Sequence, residues 1–431
     1  MERAIYKKLL EWKASDRRKP LVLRGARQIG KTYILKEFAK KEYSDYIYIN
    51  FEKDGELVKI LNKDMSVDKI IETIGIYTGK KIIPERNLII FDEIQEAPNI
   101  LKSLKYFNEY KNEYHIATAG SMLGIVLAGK TSFPVGKVNF LDMYPFSFKE
   151  FLIALGKKNL LETLPTNLSI MPEDFNTFHD NFIEILKLYY FIGGMPEVIA
   201  DYIKNRDFNR VRIIQRELIE TYLNDFSKHT TKSEAIKIRQ IWDSIPLHLG
   251  KENKTFIFSA IKSSARARDY EISLQWLIDA GLIIKIQNIS RSLIPLSAYV
   301  KPQFKIYLLD VGLLGAITKL SQKSIIFKDE LFTHFKGSLV ENFVFQEIRQ
   351  SLTPYYWSNE NKAEIDLIVE YNDNIYPIEV KSGINLKAKS LKIYDKLFSP
   401  NLLIRASLSK FNREAKIMDI PLYALSSIFT D

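Results

Sequence analysis

The sequence of 431 residues predicts an α/β protein of about two to four domains, with a parallel sheet near its N-terminus. Three observations predict this fold class. A short apolar strand at 21–23 is followed by a loop with two glycines and then by a helical pattern. Aromatic and isoleucine residues at 46–51 predict a second strand, with helical sequence at 54–79. The continuous apolar run at 88–91 is typical of a parallel strand covered on both faces.

The loop after the first strand has the pattern G-x-x-x-x-G-K-T of a phosphate-binding P-loop. Its glycines allow backbone N–H groups to surround phosphate oxygens, and the following helix adds the positive end of its dipole. Lys31 would contact the β- and γ-phosphates, and the Thr32 hydroxyl would bind Mg²⁺. A glycine-containing turn without a ligand is the alternative, which the flanking strand and helix disfavour. The residues expected to bind nucleotide are consecutive: Gly25, Ala26, Arg27, Gln28, Ile29, Gly30, Lys31 and Thr32.

An acidic pair, Asp92 and Glu93, ends the apolar run, as in a Walker B motif. Asp92 would hold Mg²⁺ through water, and Glu93 would orient or deprotonate the attacking water. The alternative is that this pair caps the helix predicted at 98–112. After the next strand, at 115–119, Ser121 is the first candidate for contact with the γ-phosphate and Thr118 the second. Capping of a helix at 122–128 is the alternative for Ser121.

The order of these elements indicates a P-loop NTPase, and the glutamate next to the Walker B aspartate is typical of the branch that hydrolyses ATP and has an additional strand between the two motifs. The chain resembles the AAA+-like ATPases common in bacteria and archaea, which carry a characteristic C-terminal domain of unknown function. This resemblance implies ATP and Mg²⁺ as cofactors. The family usually has arginine where this chain has Lys137, and lysine would supply charge without a bidentate fork. The stretches that match are 25–32, 92–95, 120–121, 133–137, 193–197, 225–228, 309–313, 337–344 and 379–381.

The middle of the chain predicts a winged helix, with helices at 238–249, 255–261 and 268–280 and a strand pair from 282 to 305. Binding to DNA would place the third helix on base edges. A packing module that relays the ATP state or mediates self-association is the alternative, and it is favoured because the helix face is not especially basic. We expect four segments: an ATPase domain at 1–160, a helical lid or linker at 161–234, the winged helix at 235–325 and a last domain at 326–431.

The last domain carries a second group of charged residues. Glu341 lies on a predicted helix, Asp366 in a strand at 363–369, and Glu379 and Lys381 on one face of the strand at 375–381. This arrangement resembles the core of PD-(D/E)xK nucleases, the restriction-endonuclease-like fold. The resemblance implies that Asp366 and Glu379 bind Mg²⁺ and that Lys381 stabilises charge or assists the attacking water. The alternative is a same-face ion pair with an ordinary β-turn aspartate, and cleavage is a separate hypothesis from fold.

Composition limits the chemistry that the chain can perform. The absence of cysteine excludes disulfides, zinc–thiolate sites and thiol catalysis, and it fits the cytoplasmic location that we expect. No apolar run reaches membrane-spanning length, and the first residues do not resemble a signal peptide. A net charge of +10 favours a polyanionic partner such as DNA, and a protein partner is the other candidate.

Three functional hypotheses follow from these features. The first is an ATP-driven switch or motor that acts on nucleic acid or on a protein. The second is an ATP-regulated, Mg²⁺-dependent nuclease, and the third is a nucleotide-binding signalling or scaffold protein with little turnover. A homo-oligomer would allow a neighbour to supply a cation to the P-loop site, with Lys137, Arg206 and Arg210 as candidates.

Overall fold

The computed structural model describes residues 1–120, 136–168, 172, 175–228, 230–326, 333–359, 363–383 and 388–429. The chain divides into two compact units. The first comprises Met1–Tyr144 and Asp279–Gly281, and the second comprises Pro145–Ile278 and Leu282–Asp431. Ser121 and the helix predicted at 122–128 lie outside the described residues. The four predicted segments stay a prediction.

In the first unit, five of the described strands form a parallel sheet in the order β2-β3-β4-β1-β5. All six residues of β3 and all five of β4 are buried, as expected for strands covered on both faces. Strand β4 lies between β1 and β3, which confirms the additional strand predicted between the two nucleotide motifs. The strands are β1 (Leu21–Arg24), β2 (Asp45–Asn50), β3 (Asn87–Asp92), β4 (His115–Ala119) and β5 (Asn139–Asp142).

Helices cover this sheet through a core of isoleucine, leucine and phenylalanine that includes Ile89, Phe91 and Leu104. The helix predicted at 54–79 is two helices, because polar residues at 62–66 form a turn in which the Ser66 amide donates to Asp64 Oδ1 at 2.8 Å. The helices are α1 (Ile5–Ala14), α2 (Lys31–Glu42), α3 (Gly55–Leu61), α4 (Val67–Thr78) and α5 (Pro98–Tyr110).

The second unit begins with helices. Ser147 and Glu150 form a capping box at the start of the first one, with the Ser147 amide donating to Glu150 Oε2 at 2.9 Å. None of the helices in the described ranges is long and apolar enough to cross a membrane. The helices are α6 (Phe148–Ala154), α7 (His179–Ile192), α8 (Pro196–Asn205), α9 (Phe208–Lys228), α10 (Lys232–Leu249), α11 (Ala267–Asp279), α12 (Val311–Ile317), α13 (Gln322–Ile326), α14 (Thr333–Ile348) and α15 (Lys389–Phe398).

Eight of the described strands form the sheet of this unit, in the order β12-β13-β11-β10-β9-β8-β6-β7. Strands β9 and β10 are an antiparallel hairpin, and β10 pairs in parallel with β11. The strands are β6 (Ile283–Ile289), β7 (Val300–Leu308), β8 (Tyr355–Asn359), β9 (Ala363–Tyr371), β10 (Asn374–Val380), β11 (Leu403–Ser407), β12 (Asn412–Glu414) and β13 (Ile417–Pro421).

The middle region differs from the winged helix that we expected in two respects. The helix predicted at 255–261 is wrong, since only a 3₁₀ turn forms at Phe258–Ala260. The Phe256 amide instead donates to the Phe304 carbonyl at 2.8 Å, which holds this segment extended along β7. The hairpin of β6 and β7 is also part of the large sheet, because β6 pairs in parallel with β8. The winged-helix assignment stays a prediction.

Candidate functional site

The P-loop connects β1 to α2 through a backbone that requires glycine at both ends. Gly30 has a φ of 94° directly before α2, and Gly25 has a φ of 140°. A Cβ atom on Gly25 would lie 2.3 Å from the Met143 carbonyl oxygen, so no other residue fits there without a shift of the backbone. The loop therefore has the backbone geometry that its sequence pattern predicts.

Lys31 begins α2 and is only 7% exposed. Its Nζ donates to the carbonyls of Gly25 at 2.9 Å and Ala26 at 2.7 Å, which holds the ammonium group against the loop. Burial lowers the pKa of Lys31 to about 8, although the carboxylates of Glu93 and Asp92 oppose this change. Phosphate oxygens would be stronger partners for this cation than two neutral carbonyls.

Asp92, at the end of β3, receives hydrogen bonds from two other elements. Thr32 Oγ1 and the Tyr48 hydroxyl each donate to Asp92 Oδ2 at 2.8 Å. Tyr48 lies on β2, and its ring has Lys36 Nζ 3.4 Å from its centroid. Hydroxyl and carboxylate oxygens are hard ligands, so Thr32 and Asp92 fit Mg²⁺ that also binds phosphate and water.

Glu93 has a left-handed backbone, with φ 49° and ψ 46°. This conformation is uncommon for a residue with a side chain and costs on the order of 1 kcal/mol or more. Its carboxylate Oε2 accepts a hydrogen bond from Gln95 Nε2 at 2.6 Å. The side chain is thus held beside Asp92 by Gln95, a residue that the sequence motif contains but to which we had assigned no role.

Thr118, the second candidate for contact with the γ-phosphate, is completely buried in β4. Its Oγ1 has no hydrogen-bond partner among the described residues. The candidate cations have partners of their own: Lys137 Nζ lies 2.9 Å from Glu109, and Arg210 Nη2 lies 2.5 Å from Asp201. The Arg206 guanidinium lies 5.1 Å from the centroid of the Tyr202 ring.

In the second unit, three of the four predicted nuclease residues lie together on the hairpin of β9 and β10. Lys381 Nζ is 2.7 Å from Glu379 Oε1, and Glu379 is 4% exposed. The Val380 amide donates to Asp366 Oδ2 at 2.8 Å, which places this carboxylate next to the Glu379 strand. Burial, and then the charge of Glu341, raise the pKa of Asp366 to about 7.

The second oxygen of Glu379, Oε2, is buried and has no hydrogen-bond partner among the described residues. A buried carboxylate oxygen without a partner is costly, and a bound cation would remove that cost. Within the described ranges, no group of three or more His, Cys, Asp or Glu side chains is placed to hold a metal ion. The donor set here is therefore the pair of Asp366 and Glu379, which fits a hard cation that keeps several waters.

Glu341, the fourth predicted residue, lies on α14 and has other partners. Its Oε1 accepts from Lys254 Nζ at 2.5 Å, and its Oε2 accepts from the Tyr307 hydroxyl at 2.8 Å. Burial opposes ionisation of Glu341, but the charges of Lys254 and Lys305 outweigh it and lower the pKa. The sequence offered no signal for these partners, because they come from strands and loops far away along the chain.

Three family models match consecutive parts of the chain. Residues 17–152 match an AAA domain. Residues 183–324 and 336–425 match two domains of unknown function, DUF8612 and DUF4143 respectively. No curated protein matches the chain.

Several solved structures are similar at low identity. The Walker-type ATPase PABY2304 of Pyrococcus abyssi is 15% identical with a TM-score of 0.47, over 74% of this chain and 95% of that one. The ORC1 protein of Aeropyrum pernix, solved in complex with DNA, is 13% identical with a TM-score of 0.31, over 74% and 92%. The RuvB Holliday junction branch migration motor of Thermotoga maritima is 14% identical with a TM-score of 0.30, over 66% and 89%.

Likenesses at this level do not extend to substrates or partners. The AAA domain match covers the P-loop and all five strands of the parallel sheet of the first unit. Residues 17–152 are therefore similar to an AAA domain and contain the strand, loop and helix of a P-loop fold, and the two regions that follow are similar to domains of unknown function.

Proposed function

We propose that the protein binds ATP with Mg²⁺ at the P-loop, hydrolyses it, and uses this cycle as a switch or motor on a nucleic acid or protein partner. The observation that carries the proposal is the arrangement around Asp92. Its carboxylate lies within hydrogen-bonding distance of the Thr32 hydroxyl, at 2.8 Å, and Thr32 directly follows the buried cation of Lys31. A metal ion and a triphosphate would therefore be held by adjacent residues.

Each residue would have one task in hydrolysis. Lys31 would exchange its two carbonyl partners for phosphate oxygens, while Thr32 and Asp92 would hold Mg²⁺. Glu93 would orient the attacking water and accept its proton, with Gln95 fixing the carboxylate. Bound Mg²⁺ would supply charge stabilisation for the transferring phosphoryl group.

We place the purine base of the ligand in a cavity that is lined by the first residues of the chain, α1 and α2, and that adjoins the end of the P-loop at Tyr33. Its volume is about 550 Å³, within the usual range for small-molecule sites. Tyr33, which directly follows Thr32, lines it with a ring that is 58% exposed. Arg3 also lines it and donates to the Ile29 carbonyl of the loop at 3.3 Å.

The test is phosphate release and nucleotide binding by the purified chain. Lys31→Ala should abolish ATP binding, because the phosphates lose their cation. Glu93→Gln should bind ATP with little change but turn it over about 100-fold or more slowly, since the base is lost while the shape is kept. Turnover by Glu93→Gln at the wild-type rate would refute the assignment of the base, and negligible turnover by the wild type would favour a nucleotide-binding scaffold.

Partner choice is tested in the same assay. Stimulation of phosphate release by single- or double-stranded DNA, with reduced stimulation at higher salt, would favour a nucleic acid partner. If a neighbour completes the site, turnover per chain should fall on dilution as the oligomer dissociates, and one of Lys137→Ala, Arg206→Ala or Arg210→Ala should reproduce that fall. Constant turnover from a monomer would refute the oligomer hypothesis.

We infer a second candidate function, metal-dependent cleavage of a phosphodiester, for the hairpin of β9 and β10. The specific observation is the buried Glu379 Oε2, which has no hydrogen-bond partner in the described part of the chain and lies beside Asp366 and Lys381. Two acids and a lysine suit a hard cation and a phosphate. Cutting of DNA or RNA should need Mg²⁺ or Mn²⁺ and should stop in Asp366→Ala and in Lys381→Ala, while ATP turnover persists. Binding without cutting, weakened by Lys381→Ala, would instead indicate a DNA-binding module.

A further inference from the structure

Two lysines from the middle of the chain enter the acidic group of the last domain. Lys254 Nζ lies 2.5 Å from Glu341 Oε1, and the two side chains are 13% and 8% exposed. Lys305, on β7, forms an ion pair with Glu364 and is 1% exposed. The charges of Glu341 and Asp366 also act on Lys305. Three carboxylates, those of Glu341, Glu364 and Asp366, therefore share two ammonium groups.

The two lysines differ in their freedom to move. Lys305 is fixed within a strand of the sheet and is completely surrounded by protein. Lys254 belongs to a segment without regular secondary structure between α10 and the 3₁₀ turn, and the three residues before it, 251–253, are exposed. Lys254 can therefore exchange its carboxylate partner for water with a small local movement, whereas Lys305 cannot.

We propose that Lys254 is a tethered cation that occupies Glu341 in place of a divalent metal ion. Metal held by the pair of Asp366 and Glu379 would gain Glu341 as a third ligand only when Lys254 withdraws and Glu341 turns from it. This inference rests on the second proposed function, the metal-dependent site. Its support is that each acid has a partner within the protein: Glu341 has Lys254 and Tyr307, Asp366 has the Val380 amide, and Glu379 has Lys381. Among the residues that the structure describes, Glu379 Oε2 is the one buried oxygen of these three acids for which no hydrogen-bond partner is found.

The arrangement makes the last site dependent on the middle segment. An ammonium group and a divalent cation cannot share one carboxylate at close range, because their charges repel. Any movement of residues 250–257 that withdraws Lys254 would raise the affinity for metal, and any contact that fixes this segment would lower it. An ordinary structural ion pair would instead affect stability and leave metal affinity unchanged.

The experiment measures Mn²⁺ binding to the full chain without nucleotide, by electron paramagnetic resonance of free Mn²⁺. The variant is Lys254→Met, and the matched control is Lys251→Met, which removes an exposed lysine three residues away. We expect Lys254→Met to bind Mn²⁺ about tenfold or more tightly than the wild type, and Lys251→Met to be unchanged. Adding Asp366→Asn to Lys254→Met should abolish the gain.

The outcomes separate the two proposals. If Lys254→Met and the wild type bind Mn²⁺ with equal affinity, and Asp366→Asn removes this binding from both, the tethered-cation proposal is overturned and the proposed metal site is supported. If no Mn²⁺ binding depends on Asp366 in either protein, the metal site and the tethered cation both fall. If Lys254→Met does not fold, as judged by circular dichroism, Lys254→Gln and Lys254→Arg replace it. Tighter binding by the glutamine variant than by the arginine variant supports the proposal, and equal binding overturns it.

Discussion

Tyr48 provides the sharpest test of the geometry proposed for the magnesium site. Its hydroxyl donates to Asp92 Oδ2 at 2.8 Å, the same oxygen that accepts from Thr32. Tyr48 would not touch the metal ion, so it is a positioning residue that fixes the orientation of the Asp92 carboxylate. Tyr48→Phe removes this one hydrogen bond and leaves the ring and its contact with Lys36 in place.

The size of the effect follows from the strength of that bond. Hydrogen bonds to charged groups contribute about 1.5–3 kcal/mol, and 1.36 kcal/mol corresponds to about tenfold in an equilibrium constant. Tyr48 is only half-buried, so we take the lower end of the range. We expect the Mg²⁺ concentration for half-maximal ATP turnover to rise about tenfold in Tyr48→Phe, with turnover at saturating Mg²⁺ changed less than about threefold.

The assay is ATP turnover across a Mg²⁺ titration, with Tyr46→Phe as the matched control. Tyr46 lies two residues earlier on the same face of β2, and its ring is 5.7 Å from Lys80 Nζ, away from Asp92. The control should behave as the wild type. An unchanged Mg²⁺ requirement in Tyr48→Phe, in a variant that melts at the wild-type temperature, would refute the positioning role and weaken the case for Asp92 as the metal-binding residue.

Three further predictions concern stability and base recognition. Burial raises the pKa of Glu347 to about 8, so the folded protein keeps this carboxyl protonated while the unfolded chain ionises it, and the free energy of unfolding falls as pH rises. Between pH 5 and 8 this fall should be about 1.4 kcal/mol per pH unit in the wild type and absent in Glu347→Gln, as measured by urea unfolding at each pH. Gly194→Ala should lower the free energy of unfolding by about 3 kcal/mol in the same assay, because its Cβ would lie 2.3 Å from the Phe146 carbonyl oxygen. The control is Gly55→Ala, where a Cβ meets no atom within 4 Å, and it should change this free energy by less than about 1 kcal/mol. Tyr33→Ala should weaken ATP binding about tenfold while leaving pyrophosphate binding unchanged, as measured by calorimetry, and equal losses for both ligands would contradict the base cavity.

Local patterns predicted the elements of the first unit well. Strand, glycine loop and helix at 21–42 are contiguous in sequence, and the apolar run before Asp92 identifies a buried strand directly. These patterns depend on residues that are adjacent in the chain, so they can be read from one sequence. The confirmed position of β4 between β1 and β3 also followed from the sequence, because the Asp92-Glu93 pair is typical of that strand order.

Contacts between distant segments could not be predicted in the same way. Tyr48 lies 44 residues from Asp92, and its role depends on β2 and β3 being adjacent parallel strands. Lys254 lies 87 residues from Glu341, in a segment whose predicted helix does not form. The presence of a lysine or a tyrosine in the sequence does not indicate which distant carboxylate its side chain will contact. The sequence therefore predicted Lys381 beside Glu379, but not the lysines from the middle of the chain, Lys254 and Lys305, that pair with other acids of the last domain.

Two stretches that match the family pattern, 193–197 and 309–313, have one structural explanation. Asp310 is completely buried and caps α12, where its Oδ1 accepts from the Leu313 amide at 3.0 Å and its Oδ2 accepts from the Gly194 amide at 2.6 Å. A Cβ on Gly193 would lie 2.2 Å from the same carboxylate, and Gly193 has a φ of 75°. Gly193 is thus required because the aspartate approaches its backbone too closely for a side chain, and Gly194 is required because the Phe146 carbonyl does so.

The contacts of Asp310 distinguish an acid that serves packing from an acid that is available for chemistry. Asp310 uses its oxygens on backbone amides within the protein, so it offers little to a ligand, and burial raises its pKa to about 6. Glu379 has the opposite character, since one of its buried oxygens has no partner among the described residues. A buried acid whose hydrogen bonds are complete stabilises a fold, whereas a buried acid that lacks one is where a cation should be sought. By this criterion Asp310 explains the motif around Gly193, and the hairpin that carries Asp366 and Glu379 is the place in the second unit to look for metal.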